Sequence, residues 1–228
     1  MKLCPRVLSK LICFQNLEKW PQEVIRQMEG SIAVVPDFIT EEEETTIFNE
    51  LEPHMKRLRY EKSHWDDAIN NYREREQRTK WREENARIVQ RIRDFAFPAN
   101  AQHLTQVHIL DLHEEGVIKP HIDSIRYCGD VIAGVSLLSS SVMRLRHKDS
   151  MDELIVDLYL KRRSLYKLSG IARYDFKHEI LDKNESMFDG IEVPRKRRIS
   201  IICRDVPKTE NVMKEKIEMK PLEELEPN

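Results

Sequence analysis

The sequence predicts an α+β fold in which helices from the first half of the chain pack against a β core of sandwich or jelly-roll type. Three observations point there. A threonine-headed run of acids opens a helical apolar period near residue 40. Five of the six glycines (116, 129, 134, 170 and 190) fall after residue 104. Six short segments rich in β-branched residues follow in the same half, separated by turn signals, with no helical pattern between them. At 228 residues the chain can bury one substantial core, which makes a single main domain the expectation.

Taken in order, the opening MKLCPRVLSKLICFQNLEKW sets Lys2, Arg6 and Lys10 among apolar residues and has no acid before Glu18. That is the composition of a transit peptide, with a disordered or helical arm of the domain as the alternative; residues 1–25 are assigned to a mitochondrial leader and 26–206 to the folded domain. Thr40, with Glu43 three residues on, forms a capping box and starts a helix whose stripe is Ile47, Leu51, Met55 and Leu58. Its basic end, Lys56, Arg57 and Arg59, suits the helix dipole, and Pro53 is expected to kink it. A second helix is predicted over residues 81–96, with Ile88, Ile92 and Phe95 inward and Pro98 as the stop. The predicted strands are VHILDL, VIAGVSLL, VMRLRH, ELIVDLYL, SLYKLSG and RRISIICR. From 207 to 228 the chain is charged and weakly apolar and reads as a mobile tail.

Composition narrows the function. Charged residues are 34% of the chain but nearly balance, 38 basic against 40 acidic, which argues against a protein held to nucleic acid by its overall field. The four cysteines, Cys4, Cys13, Cys128 and Cys203, form no Cys-x-x-Cys pair and read as free thiols. No run approaches the roughly 18 apolar residues of a membrane-spanning helix.

The stretch EEGVIKPHIDSIRYCG contains His121-x-Asp123, whose side chains share one face of a strand and can offer an imidazole and a carboxylate to one ion. The dipeptide alone is weak, because His64-x-Asp66 and His147-x-Asp149 have the same spacing and chance alone gives about 0.4 such pairs. A third ligand would complete the two-histidine, one-carboxylate facial triad of non-haem iron. GIARYDFKHEI supplies His178, read as the end of a strand face shared with Ala172, Tyr174 and Phe176. In a double-stranded jelly roll the two ligand strands are separated by about four others, or roughly 40–50 residues. Asp123 satisfies that separation from His178 and Asp149 does not. His64 falls between the two predicted helices and reads as surface or packing.

An iron site of this type needs an organic co-substrate. In RKRRISIICR, residues Arg198, Ser200, Ile202 and Arg204 share one face while Ile199, Ile201 and Cys203 share the other. Two guanidinium groups on one strand face match a dicarboxylate of the length of 2-oxoglutarate. Arg195 to Arg197 read instead as a solvated basic patch.

His121-x-Asp123, then His178, then Arg198-x-Ser200-x-x-x-Arg204, together with the runs KPHIDSIRYCG and IAGVSLLSSSVMRL, resemble the iron and 2-oxoglutarate dependent dioxygenases of the AlkB type, over about residues 30 to 206. The family's Arg-x-Asn-x-Thr-x-Arg strand has Ser200 at the Asn position here. The resemblance implies a double-stranded β-helix and His121, Asp123 and His178 as Fe(II) ligands. It also implies Tyr166, Arg198, Ser200 and Arg204 at the 2-oxoglutarate site, with O2 as oxidant and succinate and CO2 as by-products. Within the family it implies the mitochondrial branch, with roles in mitochondrial homeostasis, fatty-acid metabolism and regulated necrosis after alkylation damage.

The region before VHILDL reads as mainly helical with a short lid, which speaks against gripping a flipped base. The expectation is a dioxygenase of the mitochondrial matrix acting on a protein or peptide, with no DNA partner. Demethylation of mitochondrial RNA, using Lys161 to Arg163 against phosphates, is the alternative. A non-catalytic jelly-roll scaffold is the third.

Overall fold

The structure is a computed structural model and describes residues 7–78 and 80–209. Its β core grows from the alternation read in the sequence. Strand β5 (Val107–His121) is the longest, and its Leu110 and Leu112 face an inner core while Val107 and Ile109 face helices. Strand β13 (Arg198–Arg204) pairs antiparallel with it, Arg198 opposite Leu112 and Ser200 opposite Leu110. The same alternation holds in β6 (Ile132–Leu137), whose Ala133, Val135 and Leu137 join Ile199, Ile201 and Cys203 on the helix side.

On one side the sheet continues from β13 and β6 through β9 (Leu165–Leu168) to β3 (Ile32–Val35). On the other, β5 passes to β10 (Phe176–Ile180), β7 (Ser141–His147) and β8 (Ile155–Leu160). A register irregularity in β5's pairing with β4 (Ile69–Gln77) marks where β5 changes neighbours, from β13 to β10. Gly116 lies there, and a Cβ on it would meet Leu112 and the Asn71 carbonyl oxygen at 2.6 and 2.7 Å. Both arms of the sheet contribute to one apolar cluster, which includes Leu110, Met143, Val156, Tyr166, Phe176 and Ile202. The jelly-roll core thus encloses its site between two sheet faces.

The capping box forms as expected. The Glu43 amide donates to Thr40 Oγ1 at 3.1 Å and the Thr40 amide to Glu43 Oε2 at 2.9 Å, opening α2 (Glu41–Met55). Ile47, Leu51 and Met55 are fully buried against Ile88 and Ile92 of α3 (Glu83–Ala96) and the outer face of the β13 region. Leu58 and Phe95 depart from expectation: both are exposed, Leu58 because the helix has already ended and Phe95 because it turns away from the Ile88–Ile92 stripe to meet Phe38 edge to face.

Three further expectations are corrected. Residues 12–25 belong to the fold: β2 (Ile12–Gln15) pairs with β8, and Phe14, Trp20 and Ile25 sit in the inner core. The folded domain therefore includes residues before 26, because a basic, apolar leader composition also suits a strand near the margin of a sheet followed by a core-seeking helix, here α1 (Gln22–Ser31). The GIARY segment is a short helix, α4 (Gly170–Tyr174), rather than part of the His178 strand. The region before β5 contains the nine-residue strand β4, not only helix. Of the tail expected over 207–228, residues 210–228 lie outside the described residues.

Candidate metal centre and co-substrate pocket

Strands β5 and β10 place His121 and His178 directly opposite each other in antiparallel register. Their ring centroids are 4.3 Å apart. Asp123 follows β5 by two residues, and its Oδ1 lies 3.2 Å from His121 Nε2 and 3.7 Å from His178 Nε2. One ligand atom from each of the three lies within 4.8 Å of the others. His121 Nδ1–H donates to the Lys119 carbonyl at 2.8 Å, which fixes the tautomer and leaves the Nε2 lone pair facing the centre.

The electrostatics suit a cation. Burial would raise the Asp123 pKa, but the His121 hydrogen bond and the charges of His178, Arg204 and His121 hold it well below the usual carboxylate range. Burial, reinforced by His121, lowers His178 to about 3, so its imidazole is neutral at physiological pH. Burial also opposes the charge on His121, yet Asp123 outweighs it and leaves that pKa raised.

The pocket beside these residues is lined by Tyr166, Arg198, Ser200 and Arg204, with apolar walls that include Leu110, Met143 and Ile202. Arg198 is 2% exposed and gives Nε to Ser136 Oγ at 2.9 Å, while burial pulls its pKa down to about 10. Arg198 Nη2, Ser200 Oγ and Arg204 Nε are buried without hydrogen-bond partners, a donor set that fits a bound carboxylate. Arg204 also lies 3.8 Å from Asp123 Oδ2. Tyr166 crosses β6 at Gly134, where a Cβ would meet its ring at 2.6 Å. Burial raises the Tyr166 phenol to about 12, so it stays protonated and can donate.

Residues 31–204 match the 2OG-Fe(II) oxygenase superfamily. The chain belongs to that superfamily. It is 48% identical over 184 residues to "Alpha-ketoglutarate-dependent dioxygenase alkB homolog 7, mitochondrial" from Bos taurus and from Mus musculus, covering 81% of this chain and 82% of each relative. Among solved structures, the oxygenase shares its fold with a prolyl hydroxylase from Trichoplax adhaerens in complex with a hypoxia inducible factor oxygen degradation domain peptide fragment. The TM-score there is 0.56 at 11% identity, with 83% of this chain and 90% of that one covered. The structure of OsALKBH1 gives a TM-score of 0.53 at 13% identity, covering 76% and 96%. The activity class is that of a dioxygenase, and the family implies Fe(II), 2-oxoglutarate and O2.

The structure brings together all seven residues singled out in the sequence, while the histidines of the two competing pairs are engaged elsewhere. His147 packs on Phe176, their ring centroids 5.1 Å apart, while His64 pairs with Asp66 at 2.6 Å. Arg195 and Arg197 are not a solvated patch. Arg195 is buried and donates to the Leu181 and Gly116 carbonyls, and Arg197 joins Asp111 and Glu52. Arg162 and Arg163, read as phosphate contacts, pair with Glu44 and Asp37.

A mouth feature escaped sequence reasoning. Glu74 and Glu76 of β4 meet His108 at 3.3 and 3.1 Å, and His108 lines the pocket. The signal lay in NYREREQ, where charge of alternating sign replaces the usual apolar alternation of a strand.

Proposed function

We propose that this oxygenase holds Fe(II) on His121, Asp123 and His178 and 2-oxoglutarate on Tyr166, Arg198, Ser200 and Arg204, and that it oxidises a protein or peptide of the mitochondrial matrix. The observation that carries this reading is the convergence of the triad with three unpaired buried donors in one pocket. When bound, iron and 2-oxoglutarate supply the O2 chemistry, in which decarboxylation to succinate and CO2 accompanies insertion of oxygen into a substrate C–H bond. The chain's own residues orient and insulate. The Lys119 carbonyl fixes the His121 ring, Asp123 stays ionised, and Arg198 and Ser200 offer donors to a carboxylate. The walls of Leu110, Met143 and Ile202 keep water from the reacting face.

The substrate reading rests on charge at the mouth. Glu74, Glu76 and Asp66 place carboxylates beside His108, His64 and the triad, which favours a peptide over a polyphosphate chain. One observation favours mitochondrial RNA as the second reading: Trp65, between His64 and Asp66, is 86% exposed and offers a ring on which a base can stack. Matrix placement and a part in mitochondrial homeostasis, fatty-acid metabolism and regulated necrosis are proposed from the likeness to the mitochondrial relatives. Because β2 and Trp20 belong to the core, targeting information in the first 22 residues is read before the chain folds, and mature protein keeps residues from about Ile12 onward. Succinate release with matrix peptides compared with methylated tRNA tests the substrate. Peptide-stimulated turnover is expected, and turnover with RNA alone, yielding a demethylated base, overturns the peptide reading. A reporter carrying residues 1–22 is expected in mitochondria, and cytosolic retention overturns the targeting reading.

A further inference from the structure

The loop that carries Asp123, residues 122–131, has no strand partner of its own, so its position depends on what ties it down. Two neighbouring segments do so. Asp205, directly after Arg204, accepts the amides of Asp130 and Val131 on its carboxylate, each at 2.9 Å, and its carbonyl accepts the Gly129 amide at 3.1 Å. The approach is close enough that a Cβ at Gly129 would sit 2.6 Å from Asp205 Oδ1. From the other side comes α4, which leads into the His178 strand. Its Arg173 donates Nε to the Gly129 carbonyl and Nη2 to the Cys128 carbonyl, both at 3.2 Å, and Tyr174 Oη donates to Asp130 Oδ1 at 2.5 Å.

Arg173 is an unusual choice for a tie. It is 2% exposed, stacks over the Tyr174 ring at 5.0 Å, and leaves Nη1 buried without a partner. No carboxylate lies within ion-pair distance of it among the described residues. A buried guanidinium held by two carbonyls is costly compared with an apolar residue of the same size, so loop packing alone does not explain it. What an arginine adds is a planar fork that grips two successive carbonyls at fixed angles.

We propose that Arg173 is a positioning residue for the metal centre: it sets the distance between the Asp123 loop and the His178 strand, so that both ligands meet one ion without rearrangement. The inference rests on the iron-site reading above. Pairing of β5 with β10 fixes His121 opposite His178, and α4 is the strut that ties the loop beyond β5, which carries Asp123, to the same His178 strand.

The test is binding of Co(II), a spectroscopic stand-in for Fe(II), to the full chain without co-substrate, with hydrogen exchange of the 128–131 amides measured alongside. Arg173→Met is expected to weaken Co(II) binding by about 10- to 100-fold, the range seen when a ligand's support is lost. Exchange of the four amides should accelerate, and Arg173→Lys should recover part of the affinity. Ile47→Val, in the helix core away from the loop, lowers stability and is expected to leave Co(II) affinity unchanged. Tyr174→Phe removes a second tie with little loss of volume and is expected to weaken binding severalfold, which keeps the test decisive if Arg173→Met does not fold. Equal affinity in wild type and Arg173→Met, or in wild type and Tyr174→Phe where only that variant folds, overturns the proposal. So does an equal loss in Ile47→Val. A wild-type chain that takes up no Co(II) overturns the iron-site reading instead.

Discussion

Asp111, fully buried within strand β5, and Asp123, half-buried two residues beyond its end, are used in opposite ways. Asp111 is fully buried on the helix side, where Arg73 donates to it at 2.7 Å, Arg197 at 2.8 Å and Tyr60 at 3.1 Å, while Arg197 also reaches Glu52 of α2. Its charge is matched within the fold, tying β4, β5, α2 and the start of β13 together. Asp123, on the pocket side, faces two imidazoles and an arginine at 3.8 Å, beside donors that have no partner at all. A buried charge whose partners are complete supports structure. One surrounded by unfilled bonding capacity awaits a ligand.

Exchanging the two roles is the strongest way to break this contrast. Asp123→Ala is expected to lower 2-oxoglutarate turnover by more than about 100-fold, beyond the loss typical when only a ligand's supporting partner is removed. Its urea midpoint should stay close to wild type, because the mutation removes like-for-like burial of an acid that the fold does not need. Succinate release and equilibrium unfolding measure the two halves. Asp111→Asn should do the reverse. It leaves Arg73 without a carboxylate and Arg197 with Glu52 alone, and is expected to cost about 3–5 kcal/mol in unfolding free energy. Any folded fraction should still bind metal.

The sequence made one side of this contrast legible and hid the other. The alternation in RISIICR separates the pocket face from the helix face residue by residue, and the 55-residue spacing from Asp123 to His178 selected one His-x-Asp pair of three. Thr40 and Glu43 likewise announce α2, because a capping box is a local bond pattern. Asp111 gave no such signal, since its partners Arg73 and Arg197 are 38 and 86 positions away and only the strand register brings them together. β4 was missed because its alternating positions carry Glu and Arg rather than apolar residues. GIARY misled because Ala172 and Tyr174 continue the i, i+2 pattern of Phe176 and His178, and five residues cannot separate a helical turn from a strand. β2 was hidden for a different reason: basic and apolar residues mixed near an N-terminus satisfy both an import signal and a strand near the margin of a sheet.

Arg198 sharpens the comparison from within the pocket. Unlike Arg73 and Arg197 it has no carboxylate partner, and burial disfavours its charge. Arg198→Met should therefore abolish 2-oxoglutarate binding while stability holds or rises by about 1–4 kcal/mol, as when buried charges give way to apolar groups. A co-substrate titration and a urea midpoint on the same protein report both. A stability loss comparable with that of Asp111→Asn would mean that the fold, not the ligand, requires this guanidinium.

The smallest effect concerns a matched charge at the rim of the helical layer. Glu43 closes the α2 capping box and accepts two bonds from Arg91, at 2.8 and 2.7 Å, and these bonds, foremost Arg91's, lower its pKa below the ordinary 4.5. A carboxylate whose folded pKa is depressed contributes stability that is present above its unfolded value and is lost as the pH falls through the folded one. Wild type should therefore lose this contribution on acidification below about pH 4.5, while Glu43→Gln, uncharged throughout, should show no such step and should cost about 1 kcal/mol or less at pH 7. Because Glu43 is far in sequence and sheet layer from the pocket, Glu43→Gln should leave Co(II) binding at neutral pH unchanged. That separates charges that hold the helices from charges that hold the ion.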